Sequence, residues 1–302
     1  LIPVSADAVP GYYHTGPEQI AARITKRTSA IVVAHIAGIP APMDGIMALA
    51  RKNNLPVIED CAQAHGARYK GRLAGTFGTI SAFSTMFGKH HATGGQGGVV
   101  FTKDRELAWK IRRHSDRGKP FGLKDATGNV VAALNCNSND LNACIGRVQL
   151  KRLPGIVSAR QRLVACLARE CRDLKAIKPV TGYHGTEPSY WFLFCRLDLA
   201  RLAVGKSRII EALQAEGLGV GASYLHVFTQ APWYLARAVF GGSKLPWSSP
   251  SYKGDPDREY PTPNIIATDA CHINLQLHER MSAVNMRETA AAFRKVECAF
   301  SR

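Results

Sequence analysis

The stretch Phe83 to Asp104, FSTMFGKHHATGGQGGVVFTKD, places a single lysine, Lys89, at the entrance to a glycine cluster. Three chemistries compete for a lysine in that position. A nucleotide phosphate loop requires GxxxxGK followed by Ser or Thr, but here His90 follows Lys89, and Gly78 is too far upstream to be the first glycine. A solvated surface lysine is the commonest explanation for any lysine, yet Lys89 lies between two apolar, strand-like segments among small residues. The third is Schiff-base formation, in which an amine in a partly desolvated cleft has a lowered pKa and attacks an aldehyde.

The third chemistry needs partners, and VIEDCAQAHG supplies two of them. Asp60 ends an apolar strand, and in α/β sheets ligands gather beyond the carboxyl ends of the strands. Gln63 follows closely enough to point into the same space; taken alone, Asp60 is equally well a turn cap or the partner of an arginine. Pyridoxal phosphate requires a lysine to carry it, a carboxylate on its pyridinium nitrogen so that the ring remains an electron sink, and donors around its phosphate. Asp60 offers the carboxylate, and Ser84, on the strand leading to Lys89, offers a phosphate donor. Glycines 94, 95, 97 and 98 let the backbone turn sharply and pass close to a ligand. None of these features is specific singly. Their order between Asp60 and Gly98, carboxylate, serine, lysine, glycine cluster, is far more so. The adjacent His90 and His91 read as turn residues, because sequence neighbours seldom point at one ion.

The elements around these residues alternate. SAIVVAHI (29–36) is a β-branched run of the buried-strand kind, and APMDGIMALARKNN (41–54) carries Met43, Ile46, Met47, Leu49 and Ala50 at helical spacing, with Pro42 in the first turn. LPVIED, ISAFST and GGVVFT read as further strands, and KDRELAWKIRRHS as a helix capped by Asp104. Such alternation predicts an α/β layered domain with a buried, mostly parallel sheet. From Asn139 a long helical pattern bridges outward, with Pro154 expected to kink or end it. Beyond it come the strand SYWFLFCRLD, the helix GKSRIIEALQAEGLGVG, a Pro-, Gly- and Trp-rich loop over 229–263 and a terminal helix, which together read as a smaller α+β domain. The expected boundary divides 1–155 from 156–302. Tyr190, Trp191, Phe192 and Phe194 sit in a strand whose alternation makes half of them core, so none is assigned a role.

With 302 residues and 46% hydrophobic content, the chain can bury two cores. No apolar run approaches the ~20 residues of a membrane span, and no secretory leader is visible, so a cytoplasmic protein is expected. Eight cysteines without a CxxC pair suggest neither a zinc framework nor a redox dithiol. The net charge of +16 is spread among acids rather than gathered in a run, which argues against a nucleic-acid module and leaves an anionic substrate or plain solvated lysines.

The segment from ITKRTSAIVVAHI through GGQGGVVFTKD, with EDxAQxHG and FSxxxxK ahead of its glycines, resembles the DegT/DnrJ/StrS-type sugar aminotransferases. These are fold-type I pyridoxal-phosphate enzymes with a three-layer α/β/α large domain and a smaller C-terminal domain. The resemblance implies that Lys89 bonds the cofactor aldehyde and moves the proton in catalysis. It further implies that Asp60 holds the pyridine nitrogen, Gln63 the phenolic oxygen and Ser84 the phosphate. Asn137 matches the Asn of the family's GxNxR stretch and would reach the phosphate in the neighbouring subunit, which implies a homodimer with shared sites. The reaction implied moves an amino group from L-glutamate or L-glutamine to a keto-sugar, nucleotide-linked or free, or to a cyclitol. Related dehydratases carry His in place of the lysine, which this chain retains. Four departures stand out: Gln96 where relatives carry the acid of GEGG, Asn139 in place of the Arg of GxNxR, Ser223 before Tyr224 where relatives read HYP, and no segment ahead of LIPVSAD corresponding to the family's own phosphate-binding turn. A cofactor-binding but catalytically silent or regulatory member of the family, or a truncated inactive fragment, is the alternative these departures support.

Overall fold

Ile31 and Val33 are buried side chains on one face of a four-residue strand, the core of the β-branched run read from the sequence. The computed structural model describes residues 2–222, 224 and 227–302. In chain order the elements are α1 (Pro17–Ala21), β1 (Ile31–Ala34), α2 (Met43–Lys52), β2 (Val57–Asp60), β3 (Arg68–Tyr69), β4 (Arg72–Leu73), β5 (Ile80–Ser84), β6 (Gly98–Phe101), α3 (Arg105–Ser115) and α4 (Asp140–Glu170). They continue with β7 (Ile177–Pro179), β8 (Thr186–Glu187), β9 (Leu193–Leu197), α5 (Lys206–Ala215), β10 (Val220–Gly221), α6 (Pro232–Leu235), α7 (Pro263–Ala270), β11 (His272–Leu275) and α8 (Ala283–Phe300).

The first sheet has the order β1-β2-β5-β6. β1 and β5 both run parallel to β2, and β6 closes the edge antiparallel to β5, which gives the mostly parallel sheet the sequence alternation predicts. Met43, Ile46 and Ala50 of α2 bury one helical face against this sheet with Val33 and Val57. Pro42 is the N-cap of α2 rather than a first-turn residue, and Asp104 caps α3 by accepting from the Leu107 N–H at 2.8 Å. A second sheet, β10-β11-β9-β7, is antiparallel throughout. It forms a separate core with the C-terminal half of α4, α5 and α8, centred on Leu167, Ile177, Leu193, Leu197, Ile209, Leu213 and Phe293. A small sheet, β4-β3-β8, links the two through the β3–β8 pairing of Tyr69 with Thr186.

Pro154 does not end the helix that contains it: α4 runs unbroken for 31 residues. A proline removes the hydrogen bond to the carbonyl four residues earlier, but Leu150 and Pro154 both face solvent, where water can take that carbonyl. Asn139, which stands where relatives carry Arg, is the N-cap of α4 and accepts from the Asn142 N–H at 2.9 Å. Gly38, at φ 81°, permits a close approach: a Cβ there would lie 2.6 Å from Ser189 Oγ and 2.7 Å from the Tyr190 nitrogen. Among the described residues the eight cysteines are all free, and no helix is long and apolar enough to cross a membrane.

The most consequential buried polar group is Glu59, whose side chain and that of His35 have no exposure. Its carboxylate accepts from the backbone N–H groups of Gly75, Phe77 and Gly78 at 2.7, 2.7 and 2.6 Å, and meets His35 Nε2 at 3.1 Å. Because the Ala41 N–H donates to His35 Nδ1 at 3.0 Å, a neutral His35 carries its proton on Nε2 and donates it to Glu59. Burial opposes the carboxylate charge, but these donors outweigh it and hold the Glu59 pKa below its ordinary value. The sign follows: the stabilisation is complete above the unfolded carboxylate range, about pH 4.3, and is lost as pH falls through the depressed native value. Glu59→Gln is expected to lower the unfolding free energy by about 3–5 kcal/mol at pH 7 in urea titrations. The gap from wild type should shrink as the pH is taken below about 4; a gap independent of pH would contradict the role assigned to the charge.

Candidate active site

The period-2 geometry of β2 turns Glu59 inward and Asp60 outward. Asp60 therefore sits exposed at the carboxyl end of the strand, paired with Ala82 of β5. One of its oxygens accepts from the Ala62 N–H at 2.9 Å, so it does cap the following turn, as one reading of the sequence has it. Ser84 ends β5 two residues beyond Ala82 and is half-buried. Its Oγ accepts from the Met86 N–H at 3.3 Å, which leaves the hydroxyl proton to donate to a ligand.

Lys89 lies in the turn that leaves β5, its backbone N–H bonded to the Met86 carbonyl at 2.9 Å. Its Nζ stands 3.5 Å from the centroid of the Trp191 ring. Burial lowers the pKa of this amine and the charge of Asp60 partly opposes the shift, so the two groups share one electrostatic environment. Gln63 belongs to the same neighbourhood. Its Oε1 accepts from the Ala37 N–H at 2.6 Å and its Nε2 donates to Tyr224 Oη at 2.5 Å, leaving the second amide hydrogen to spare. Tyr224 in turn stands edge-on to Trp191 at 5.8 Å, which closes the ring of contacts around Lys89.

The glycine cluster forms a narrow turn between β5 and β6. Thr85 donates its N–H to the Gly97 carbonyl at 2.8 Å, and a Cβ on Gly97 would lie 2.7 Å from Thr85 Oγ1. Gln96 is exposed at the tip of this turn. The neighbouring histidines diverge: His90 Nε2 bonds the Ser189 carbonyl at 2.9 Å and His91 Nε2 the Gly146 carbonyl at 3.0 Å. Burial keeps His90 neutral, with its pKa pressed down to about 3.

Asn137 is placed elsewhere. It is exposed ahead of α4, donates to Asn135 Oδ1 at 2.9 Å and helps hold the Asp116 carboxylate, and among the described residues its bonds go to these groups rather than to Lys89, Asp60, Gln63 or Ser84. Ser223 lies outside the described residues. The sequence reading assigned no role to Trp191 or Arg160. The strand expected over SYWFLFCRLD begins only at Leu193, so Trp191 and Tyr190, at φ 51°, lie in the bend ahead of β9, where a period-2 argument does not apply. Arg160 Nη1 donates to the carbonyls of Tyr190 and Trp191 at 2.9 and 2.8 Å while its Nη2 pairs with Glu279 at 3.0 Å.

The donor set fits pyridoxal phosphate: a half-buried amine over an aromatic ring, a carboxylate at a strand end, a hydroxyl with a free proton and a glycine turn with no room for a Cβ at Gly97. The comparisons with known proteins agree. Residues 1–253 match the model of the DegT/DnrJ/EryC1/StrS aminotransferase family. An L-glutamine:2-deoxy-scyllo-inosose aminotransferase of Streptomyces lividus is 31% identical over 98% of this chain and 71% of its own length. A UDP-N-acetyl-3-dehydro-alpha-D-glucosamine 3-aminotransferase of Acidithiobacillus ferrooxidans is 34% identical over 70% of this chain, which spans 57% of that relative. The crystal structure of an aminotransferase from Psychrobacter cryohalolentis superposes with a TM-score of 0.81 at 29% identity, covering 99% of this chain and 76% of that one. The chain thus has the fold-type I architecture and belongs to the DegT/DnrJ/EryC1/StrS family of pyridoxal-phosphate-dependent aminotransferases.

Proposed function

We propose that the protein transfers an amino group from L-glutamine or L-glutamate to the keto group of a sugar, free or nucleotide-linked, or of a cyclitol. The observation that carries the reading is the setting of Lys89, an amine withdrawn from water beside Asp60 and at the end of the strand bearing Ser84. The acceptor class is supported by the names of the relatives, one acting on a cyclitol ketone with glutamine and one on a UDP-linked keto-sugar. A net charge of +16 suits an anionic acceptor, and eight free thiols suit a reducing, cytoplasmic setting.

Bound pyridoxal phosphate would supply an electron-sink ring and a carbonyl carbon that exchanges oxygen for nitrogen. The chain's own groups supply the rest. Lys89 Nζ would hold the cofactor at rest and, once freed, would carry the proton from the amino donor's Cα to the cofactor carbon that has taken the nitrogen, and in the second half-reaction would move it the opposite way, onto the acceptor carbon. It must be neutral to do so, which its burial favours. Asp60 would keep the ring nitrogen protonated, Ser84 and the turn after it would bind the phosphate, and the spare amide hydrogen of Gln63 would meet the phenolic oxygen. Asn137 would act on the cofactor of a second subunit.

A homodimer is part of this reading. It is supported by a broad apolar surface: all of β6 is exposed, as are Leu134 and, on the first turns of α4, Leu141, Ile145, Val148 and Leu150. Leu134 and Leu141 are each 77% exposed and flank Asn137, so a second copy covering them would bury the segment expected to cross between sites. Sedimentation velocity should show a dimer, and Leu141→Asp should shift it toward monomer; a monomeric wild-type protein would contradict the shared site.

The enzymatic reading is tested by absorbance. Protein mixed with pyridoxal phosphate should develop the band of a lysine-bound cofactor, which Lys89→Ala should lack. L-glutamine or L-glutamate should convert that band to the pyridoxamine form. A band that responds to no amino donor would leave cofactor binding and remove transamination.

A further inference from the structure

Trp191 grips the active-site lysine at both ends. The face of its indole receives Lys89 Nζ at 3.5 Å, and its Nε1–H donates to the carbonyl of Gly88, the residue before Lys89, at 2.9 Å.

The indole is itself held from behind, independently of the lysine. Tyr190 adopts φ 51°, a left-handed conformation that bulky residues occupy only when their surroundings impose it. The imposing group is Arg160, buried to 6% exposure, which clamps the carbonyls of Tyr190 and Trp191 while paired with Glu279. The Trp191 N–H donates to the Ala37 carbonyl at 3.0 Å, and Phe192 and Tyr224 pack against the ring at 5.3 and 5.8 Å. A strained turn and a partly buried ion pair are thus committed to presenting one aromatic face to one amine.

We propose that Trp191 is a positioning residue: its indole face is the resting place of the Lys89 ammonium whenever that amine carries no covalent partner, and its N–H fixes the turn from which the lysine departs and to which it returns. This rests on Lys89 being the cofactor-bearing lysine. A ring face attracts the charged amine much more strongly than the neutral one, so the contact opposes the burial that favours the neutral form. The other titratable groups near the amine are Asp60 at the end of β2, His65 in the turn after it, and Tyr224 behind the indole. Burial holds His65 neutral above about pH 4 and pushes the Tyr224 hydroxyl upward.

The test uses the cofactor-free protein, with the titration of Lys89 read from the pH dependence of its labelling by trinitrobenzenesulfonate, located by peptide mass. Trp191→Leu fills the site without a ring face and should lower the labelling midpoint by roughly half to one pH unit. Trp191→Phe keeps a ring but not the N–H and should fall between the two. Equal midpoints in all three folded proteins would overturn the proposal. A second readout covers failure of a variant to fold: the part of the wild-type tryptophan emission that titrates with the labelling midpoint should vanish in Lys89→Met, and its persistence there would also overturn the proposal. Because neither readout needs cofactor, ordered midpoints in a protein that never forms the pyridoxal-phosphate band would keep the resting place and remove the enzymatic reading.

Discussion

The carboxylate of Glu59 lies wholly out of water, and the strand that bears it can be buried only because four donors converge on its two oxygens. An unpaired buried charge costs several kcal/mol, on the order of 3–5 when one partner is removed, so this cage leaves little freedom to what it joins. It joins the residue after β1, the end of β2 and the turn ahead of β5. With Glu59 fixed inward, pleating fixes Asp60 outward. With the 75–78 turn fixed, β5 enters in register with Asp60 opposite Ala82, and Ser84 and Lys89 follow from its end.

Around that anchor the site is a junction between two cores rather than a cleft in one. The turn after β1 accepts from Ser189 and Trp191 at 3.0 Å, His90 reaches the Ser189 carbonyl, and Trp191 reaches Gly88. These contacts need backbone approaches that only glycine allows at Gly38, and they place Ala37 and Tyr190 at positive φ. Strain of this kind persists only where surrounding bonds impose it, and here Gln63, Arg160 and Glu279 provide them. The groups that hold the two cores together are thus the same ones that orient the lysine.

The strands of the first sheet were legible because β-branched runs and their turn residues are local signals, and the glycine turn and Asp60 followed from where such strands end. Legibility failed where the cause was distant. Trp191 was hidden because it lies in a bend ahead of β9, outside the strand on which any facing argument depends, and Arg160 because an arginine 30 residues upstream carries no local sign that it will clamp the carbonyls of Tyr190 and Trp191. Pro154 misled in the opposite sense: the rule that proline breaks helices is local, while its exemption comes from solvent exposure that the sequence does not show. Asn137 and Gln96 stand at exposed positions, where burial sets no pattern for a sequence argument to read.

The central claim is that the desolvated amine of Lys89 is the covalent seat of pyridoxal phosphate. Reduction of the pyridoxal-phosphate-treated protein with borohydride, followed by peptide mass spectrometry, addresses it directly. The account predicts a stable phosphopyridoxyl adduct on the peptide containing Lys89 and on no other lysine at one equivalent of cofactor. An adduct spread over surface lysines, or seated on a different one, would contradict it.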